Sequence, residues 1–457
     1  MGIAVIILAA GESKRILSSR SKVLHELCGL PLVEYPIRLA KSLQAKPVIC
    51  VTPKFPNGLV DYLKKFPFVS PVPQNRADGT GGAVAVVEKV LSRFSGYVLI
   101  LSGDVPLLDK SMVASFVKET IRKKAKIGLI TTKVPNPKGY GRMIRDIGNQ
   151  ILKIVEDKNA DAKELEINEI NAGIYCVDKQ WLFDSIKRIT PNGKTREKYL
   201  TDLVSIAISE GREVFGFEGK NFQEFLGINT RQELAESGRL LQNQIVQKWL
   251  SRGVGFVDPR HVYIDYDVSL GEDTLIYPNV FLRGKTKIGK RCLIDTGSVL
   301  TDAVVAEEVH IKPYSVIEKS RIGKGGVVGP FSRLRPETNL KENVRVGNFV
   351  EVKKSILHQG TKANHLSYIG DATVGKETNI GCGTITCNYD GFQKHRTVLG
   401  EKVFVGSDVQ FVAPVRVGKG AVIGAGSTIT DNVPSYALAL ARGRQLNKKN
   451  WARRKKK

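Results

Sequence analysis

The second half of the chain carries aliphatic residues at intervals of six residues. This period differs from that of a helix and from that of an ordinary strand. Such hexads predict a parallel β-helix, in which each repeat supplies one short strand and one turn, and three repeats build a coil. Residues 264–429 would form about nine coils with one continuous aliphatic core. The ladder comprises Ile264, Leu270, Ile276, Leu282, Ile288, Ile294, Leu300, Ile322, Val328, Leu334, Leu340, Val346, Val352, Leu399, Val405, Phe411, Val417, Ile423 and Ile429.

The ladder contains intervals that are not multiples of six, and two of them lie close together in its second half. Val352 to Val374 spans 22 residues, and Ile380 to Leu399 spans 19. We interpret both intervals as loops that leave the corners of the prism, because a repeat in register can absorb extra residues only there. Loops on a rigid scaffold often carry binding groups. The side chains that this interpretation makes candidates are His365, Tyr368, Asn388 and Tyr389.

The first half of the chain alternates apolar strands with helical stretches. Strands are predicted at 3–10, 47–51, 97–101 and 127–132, and helices at 31–43, 82–94 and 109–124. This alternation predicts a mostly parallel α/β sheet covered by helices. Ligands of such sheets bind outside the carboxyl ends of the strands.

Two features fall at that edge of the predicted sheet. The loop LAAGESKR (8–15) offers small residues and exposed amides, followed by the basic Lys14, Arg15 and Lys22. It could cradle a triphosphate, although it lacks the common phosphate-binding fingerprints and could also be a surface turn. Asp104 ends a buried strand, where it could hold Mg²⁺ or cap a helix.

Charge and cysteine usage restrict the partners and the compartment. Lys and Arg outnumber Asp and Glu by 70 to 45, which favours anionic partners such as nucleic acid, a membrane surface or phosphorylated small molecules. The six cysteines show no zinc or redox spacing. The apolar run Ile3 to Ala10 is too short to span a membrane. We therefore expect a cytoplasmic protein.

A helical pattern follows the sheet region and separates it from the ladder. Leu234, Leu241, Ile245 and Trp249 fall on one helical face. The expected division is a sheet domain at 1–230, a linker helix at 231–260, the prism at 261–433 and a basic tail at 434–457. Such a tail is expected to be a solvated end, with docking or nucleic-acid contact as the alternative.

A set of motifs, in order along nearly the whole chain, resembles one bacterial family, the bifunctional N-acetylglucosamine-1-phosphate uridyltransferase and glucosamine-1-phosphate acetyltransferase. The motifs are LAAG, SGD, GYGR, EINAG, GIN, FSRLRP (331–336), GNFVEVKK (347–354), KANHLSYIGD (362–371), NIGCGTITCNYDG (379–391) and VFVGSD (403–408). The resemblance implies a Rossmann-like nucleotidyltransferase domain followed by a left-handed parallel β-helix. It also implies a homotrimer in which neighbouring prisms share each acetyl site, and synthesis of UDP-N-acetylglucosamine for peptidoglycan and lipopolysaccharide.

The resemblance also implies which residues of the first domain bind UTP and the sugar phosphate. These are Leu8, Ala9, Ala10, Gly11, Arg15, Lys22, Gln74, Gly79, Thr80, Gly141, Glu156, Asn171 and Asn229. Asp104 and Asn229 would hold Mg²⁺. The implied reaction is an in-line displacement at the α-phosphorus of UTP, which needs positioning and charge neutralisation but no covalent side chain.

In the prism, the resemblance implies that His365 is the general base of acetyl transfer from acetyl-CoA. Arg333, Lys353, Tyr368 and Asn379 would bind the sugar phosphate. Residues implied to contact the cofactor or its thioester are Cys382, Asn388, Tyr389, Ser407, Ala425 and Arg442. The backbone amide of Cys382 would meet the developing oxyanion.

The chain departs from the usual family pattern at several positions. Ser13-Lys14 stand where Gly-Thr is frequent, Ala77-Asp78 where Gln-Leu is common, and Ser102 where an aromatic residue is frequent. Cys382 replaces a usual Ala, for which we favour the role of a small corner residue over that of a nucleophile.

Two other functions are compatible with parts of the sequence. One is a sugar-nucleotide pyrophosphorylase whose prism serves only assembly and regulation, although His365 with Arg333 and Lys353 argues against it. The other is a basic scaffold that binds nucleic acid through the prism and tail, but interleaved aromatic residues for base stacking are lacking. We expect small-molecule substrates, no nucleic acid and no membrane.

Overall fold

A computed structural model describes residues 2–11, 14–55, 58–193 and 195–455 of the protein. Glu12 and Ser13 of the predicted phosphate loop, and Lys456 and Lys457 of the basic tail, lie outside the described residues. The chain divides into two compact units, residues 1–241 and residues 242–457.

A nine-stranded sheet organises the first unit. Its strands lie in the order β11-β7-β10-β6-β1-β4-β5, while β8 pairs with β10 and β9 with β8. The strands of this unit are β1 Gly2–Leu8, β2 Glu26–Leu27, β3 Leu30–Pro31, β4 Val48–Pro53, β5 Val69–Gln74, β6 Gly96–Ser102, β7 Ile127–Lys133, β8 Arg142–Arg145, β9 Ile151–Val155, β10 Glu169–Asp178 and β11 Val214–Glu218. The short strands β2 and β3 form a separate pair.

The centre of this sheet is parallel, as predicted. Strand β1 pairs in parallel with β4 and β6, whereas β10 runs antiparallel between β6 and β7. Residues of β1 alternate between two cores: Val5 and Ile7 belong to one, and Ala4 and Ile6 to the other. Burial on both faces explains why β1 reads as a continuous apolar run.

Helices cover the sheet but differ in part from the prediction. They are α1 Glu34–Ser42, α2 Leu59–Leu63, α3 Gly79–Ala85, α4 Lys110–Arg122, α5 Ala162–Leu165, α6 Lys179–Ile186, α7 Asp202–Ser209 and α8 Arg231–Leu250. The helix predicted at 82–94 is wrong in extent, because α3 begins at Gly79 and turns replace it after Ala85. The β-branched residues Val86, Val87 and Val90 favour helix weakly.

The second unit is a three-sided prism of short parallel strands. They are β12 Gly255–Phe256, β13 Val262–Ile264, β14 Ser269–Leu270, β15 Leu275–Ile276, β16 Val280–Arg283, β17 Lys287–Ile288, β18 Leu293–Ile294, β19 Val299–Thr301, β20 Val304–Val305, β21 His310–Ile311, β22 Val316–Glu318, β23 Arg321–Ile322, β24 Val327–Val328, β25 Arg333–Leu334, β26 Asn339–Leu340, β27 Arg345–Asn348, β28 Glu351–Lys353, β29 Ile356–Leu357, β30 Lys362–His365, β31 Tyr368–Gly370, β32 Ala372–Val374, β33 Asn379–Ile380, β34 Ile385–Cys387, β35 Thr397–Leu399, β36 Phe404–Val405, β37 Gln410–Val412, β38 Val415–Val417, β39 Val422–Ile423, β40 Thr428–Ile429 and β41 Leu438–Ala439.

Up to β40, every third strand belongs to the same face of this prism, and the last strand, β41, pairs with β39. Face 1 holds 11 strands from β12 to β41, face 2 holds 10 from β13 to β40, and face 3 holds 9 from β14 to β38. All the aliphatic residues of the predicted ladder are buried, and their counterparts stack in register, as in Ile264, Leu282 and Leu300. The predicted hexapeptide core is confirmed.

The interpretation of the two long intervals is half right. Between Val352 and Val374 the buried ladder positions are Leu357, Ala363 and Ile369, so the chain advances by 5, 6, 6 and 5 residues. This interval is one complete coil plus one further step, with the first and last steps shortened to five residues, and the predicted loop is wrong. The second interval does leave the prism, since residues 388–396 separate β34 from β35.

The helix α8 carries the apolar stripe expected of it, with Leu241, Ile245 and Trp249 buried. In the second unit, the side chain of Gln242 donates to the carbonyl of Ile264 at 3.2 Å and accepts from its N–H at 3.1 Å. Among the residues that the structure describes, no helix is both long and apolar enough to cross a membrane.

Candidate active sites

A cavity of about 220 Å³ opens at the carboxyl end of the central strands of the first unit. Its walls come from β1, the start of α3, the residues after β6, the end of β9 and the middle of β10. Five residues named from the sequence line it: Leu8, Thr80, Asp104, Glu156 and Asn171. The edge that the parallel topology predicted is therefore where these side chains meet.

A cluster of charged and amide groups surrounds Asp104. The Lys22 ammonium contacts Asp104 Oδ2 and donates to Asn229 Oδ1 at 3.0 Å. Arg15 Nη2 donates to the same amide oxygen at 2.9 Å. The N–H of Ile228 donates to the Asp104 carbonyl at 3.0 Å, so the backbone also joins these segments. Two oxygens thus converge on one cationic group.

The opposite wall of the cavity contains a partly buried carboxyl group, that of Glu156. Thr201 Oγ1 donates to Glu156 Oε1 at 2.9 Å. Burial raises the pKa of Glu156, and the Thr201 hydrogen bond opposes that rise. Thr80 Oγ1 accepts from the N–H of Leu200 at 2.9 Å, which ties α3 to the segment before α7.

Other residues named for this site are linked to residues of the cavity wall by sequence or by hydrogen bonds. Gln74 Nε2 donates to the Gly79 carbonyl at 3.2 Å. Gly79 has φ of +91°, and an added Cβ would lie 2.6 Å from the Lys198 carbonyl oxygen, so only glycine fits. The N–H of Asn171 donates to the Gly141 carbonyl at 2.9 Å. Leu8 ends β1, and Ala9, Ala10 and the exposed Gly11 follow it.

Several residues of this site were not identified from the sequence. Ser102, Tyr140 and Thr201 line the cavity. Arg142, almost fully buried, contacts the Tyr140 carbonyl and donates to Asp157 Oδ1 at 2.9 Å, which joins two cavity walls. The GYGR motif contains Arg142, but spacing alone gave no sign that its side chain turns inward.

One edge of the prism carries His365 and three of the six residues expected to contact the acetyl donor. The paired residues Ala363, Ile380, Val405 and Ile423 stack on face 1. Two residues beyond each of them lie His365, Cys382, Ser407 and Ala425. Corner hydrogen bonds of 2.7–3.0 Å join successive coils here: Gly383 N–H to Leu366, Asp408 N–H to Cys382, and Gly426 N–H to Ser407. We call these four residues the edge row.

The imidazole of His365 is exposed and oriented by an amide. Its Nδ1 lies 3.1 Å from Oδ1 of Asn348, the residue paired with it on the preceding coil. Since the amide oxygen can only accept, this contact places the proton on Nδ1 and leaves Nε2 as the acceptor. A cavity of about 470 Å³ beside the ring is lined by Lys312 and Arg345 among others. Asn348 lies in the GNFVEVKK motif but had no assigned role.

The residues named for the sugar phosphate occupy faces 1 and 2. Arg333, Glu351 and Tyr368 pair on successive strands of face 2, and Arg333 lies 3.8 Å from Glu318 and 4.0 Å from Glu351. The Lys394 ammonium beside Lys353 lowers the pKa of Lys353. Asn379 pairs with Lys362 on face 1.

The loop at 388–396 holds Asn388 and Tyr389 differently. Asn388 is buried, and its amide donates to Asp371 Oδ2 at 2.5 Å. Tyr389 is exposed, and its hydroxyl donates to the Gly391 carbonyl. At the last coil, Arg442 Nη1 donates to the Ala425 carbonyl at 2.9 Å. Within one chain, therefore, Asn388 turns inward, Tyr389 lies exposed in the loop, and Arg442 contacts Ala425 of the edge row.

The first unit has a polar cavity, and the hexapeptide prism carries an imidazole on its edge. Together they define a two-site transferase. Comparisons with known proteins give its family. The nucleotidyl transferase model matches residues 4–251, and the bacterial transferase hexapeptide model, of six repeats, matches residues 396–431. The bifunctional protein GlmU of Pelobacter propionicus is 42% identical over 455 residues, covering 100% of this chain and 99% of that protein.

Two further relatives give the same result. The bifunctional protein GlmU of Geotalea uraniireducens is 44% identical over 454 residues, with 99% of each chain covered. That of Geotalea daltonii is 43% identical over 449 residues, with 98% of each covered. The chain belongs to the family of bifunctional GlmU proteins. The family, the fold class and the bifunctional enzyme predicted from the sequence are confirmed.

Proposed function

We propose that this protein makes UDP-N-acetylglucosamine in two steps at two sites. The prism transfers acetyl from acetyl-CoA to glucosamine 1-phosphate, and the sheet unit then transfers uridylyl from UTP to N-acetylglucosamine 1-phosphate, releasing pyrophosphate. The observation that carries the proposal is that each compact unit holds its own cluster of the required groups.

In the sheet unit, the residues position two anionic substrates. An oxygen of the sugar phosphate attacks the α-phosphorus of UTP, and the bond to the pyrophosphate oxygen breaks. Arg15 and Lys22, which meet at Asn229 Oδ1, would neutralise phosphate charge. Glu156 and Asn171 on the opposite wall would hold the hydroxyl groups of the sugar.

The oxygens of Asp104 and Asn229 fit the magnesium ion that the family uses. In this structure the Lys22 ammonium contacts both side chains, so the two oxygens already face one cation. The described residues contain no cluster of three or more potential ligands among His, Cys, Asp and Glu. Magnesium needs only one or two protein oxygens, since phosphates and water complete its octahedron. When bound, it would offset phosphate charge.

In the prism, His365 Nε2 would take a proton from the ammonium of glucosamine 1-phosphate. The freed amine attacks the thioester carbonyl, the C–S bond breaks, and the thiolate of coenzyme A receives a proton. A general base is worth about 10²–10⁴ in rate. Three coil spacings give the edge row a length of roughly 14 Å, which suits the extended arm of acetyl-CoA.

We further propose a cytoplasmic homotrimer. The edge that carries His365 also exposes Tyr314, Phe331 and Phe349, whose rings stack at centroid separations of 5.4 Å. An exposed apolar ridge of this kind favours self-association. Light scattering should give a mass of about 150 kDa, three times the 50.3 kDa of one chain. A monomer would contradict a shared acetyl site.

Two product assays on the purified protein test the proposed reactions. Coenzyme A should be released only with glucosamine 1-phosphate and acetyl-CoA, and pyrophosphate only with UTP, Mg²⁺ and N-acetylglucosamine 1-phosphate. Pyrophosphate release without any coenzyme A release would favour the single-activity pyrophosphorylase. Release of neither product by the folded trimer would refute the proposal.

A further inference from the structure

The two oxygens of the Asp104 carboxylate have different partners. Ser102 Oγ donates to Oδ1 at 2.5 Å, whereas the Lys22 ammonium contacts Oδ2. Ser102 is the last residue of β6, and its Cα lies opposite that of Leu8 in β1. The hydroxyl therefore comes from a fixed strand end at the centre of the sheet.

The backbone around Asp104 is also fixed. The N–H of Gly103 donates to the Leu8 carbonyl at 2.9 Å, and the Asp104 carbonyl accepts from Ile228 at 3.0 Å. The carboxylate can still rotate about its own side-chain bonds, and the Ser102 hydrogen bond restrains that rotation. With Oδ1 held by Ser102, Oδ2 is the oxygen that faces the Lys22 ammonium, which also donates to Asn229 Oδ1.

We propose that Ser102 is a positioning residue that makes Asp104 a one-oxygen ligand and so favours Mg²⁺ over Ca²⁺. This inference rests on the proposed magnesium site. Magnesium requires a small octahedron at 2.0–2.1 Å, whereas calcium accepts both oxygens of one carboxylate in a larger, flexible shell. A hydroxyl that occupies Oδ1 opposes the two-oxygen arrangement.

The feature belongs to this chain's own sequence. This chain has a serine, Ser102, as the last residue of β6, two residues before Asp104. A phenylalanine or tryptophan could not hold an oxygen of Asp104 in this way, because neither carries a hydroxyl group. Ser102 would therefore determine cation selectivity in this protein without contacting the cation itself.

Displacement of Mn²⁺ from the full-length protein, followed by electron paramagnetic resonance, tests the proposal without turnover. In Ser102→Ala, Mg²⁺ should displace Mn²⁺ about three- to tenfold less effectively than in the wild type, because one hydrogen bond to Asp104 is lost. Ca²⁺ should be affected less, so the preference for Mg²⁺ falls. Ser102→Thr keeps the hydroxyl and should restore the wild-type preference.

Ser111→Ala is the matched control. Ser111 also hydrogen-bonds an aspartate, Asp109, but at the exposed start of α4, so its loss should leave displacement unchanged. In assays of pyrophosphate release, Ser102→Ala should raise the KM for Mg²⁺ and leave kcat at saturating Mg²⁺ near the wild-type value.

The possible results distinguish the proposed magnesium site from the proposed role of Ser102. If Asp104→Ala binds Mn²⁺ as the wild type does, the proposed magnesium site is wrong. If Asp104→Ala loses Mn²⁺ but Ser102→Ala keeps wild-type affinity and preference, the role of Ser102 is refuted while the site stands. Weaker binding with an unchanged preference for Mg²⁺ would also overturn the selectivity argument.

Discussion

The strand β20 offers a direct test of the hexapeptide core, because its two residues are both valine and face opposite ways. Val305 is 3% exposed and stacks between Ile288 and Ile322 on face 3, whereas Val304 is 37% exposed. Val305→Ala removes two methyl groups from the core, a loss of about 1.6 kcal/mol at roughly 0.8 kcal/mol per methylene. The cavity left behind raises the cost to about 2–3 kcal/mol.

Val304→Ala is the matched control and should cost less than about 0.5 kcal/mol. Hydrogen exchange read by mass spectrometry on peptides that cover β20 measures the difference locally. Exchange should accelerate about 30- to 150-fold in Val305→Ala, since 1.4 kcal/mol is tenfold, and about twofold in Val304→Ala. Equal acceleration by the two substitutions would refute the stacked core as the source of stability.

Three further predictions concern side chains of the two sites. Asn348→Leu should lower kcat for acetyl transfer about tenfold with little change in KM. Asn348→Asp should move the acid limb of the pH–rate profile of acetyl transfer to higher pH, because a carboxylate stabilises the imidazolium of His365. Burial raises the pKa of Glu156, so the stability that its neutral form contributes is lost as pH rises through that pKa. Glu156→Gln should therefore raise Tm at pH 8 but hardly at pH 4. Arg142→Ala leaves Asp157 unpaired, and pyrophosphate release should fall while coenzyme A release persists.

The prism could be predicted from the sequence because its period has a single structural solution. The 22 residues from Val352 to Val374 show the limit of that argument. This length is four residues more than three hexads and two residues fewer than four hexads. Only the burial of Ala363 decides between a loop and a coil with short corners. Alanine carries too little apolar surface to mark a ladder position by itself.

The polar contacts of the sites could not be predicted, because they depend on torsions that spacing does not record. The strand end at Asp104 was identifiable, but the hydrogen bond from Ser102 was not. Arg142 illustrates the same limit: a basic residue after a glycine-rich turn suggests the surface, yet here a carboxylate and a carbonyl hold it inside. The contact of Asn348 with His365 likewise depends on the pairing of β27 with β30, which the sequence does not show.

Separate measurement of the two products in His365→Ala and Asp104→Ala tests the two-site account most directly. His365→Ala should lose coenzyme A release by about 10²–10⁴ and keep pyrophosphate release when N-acetylglucosamine 1-phosphate is supplied. Asp104→Ala should show the reverse. Loss of both products in either folded, correctly assembled variant would contradict the division of the two reactions between the sheet unit and the prism.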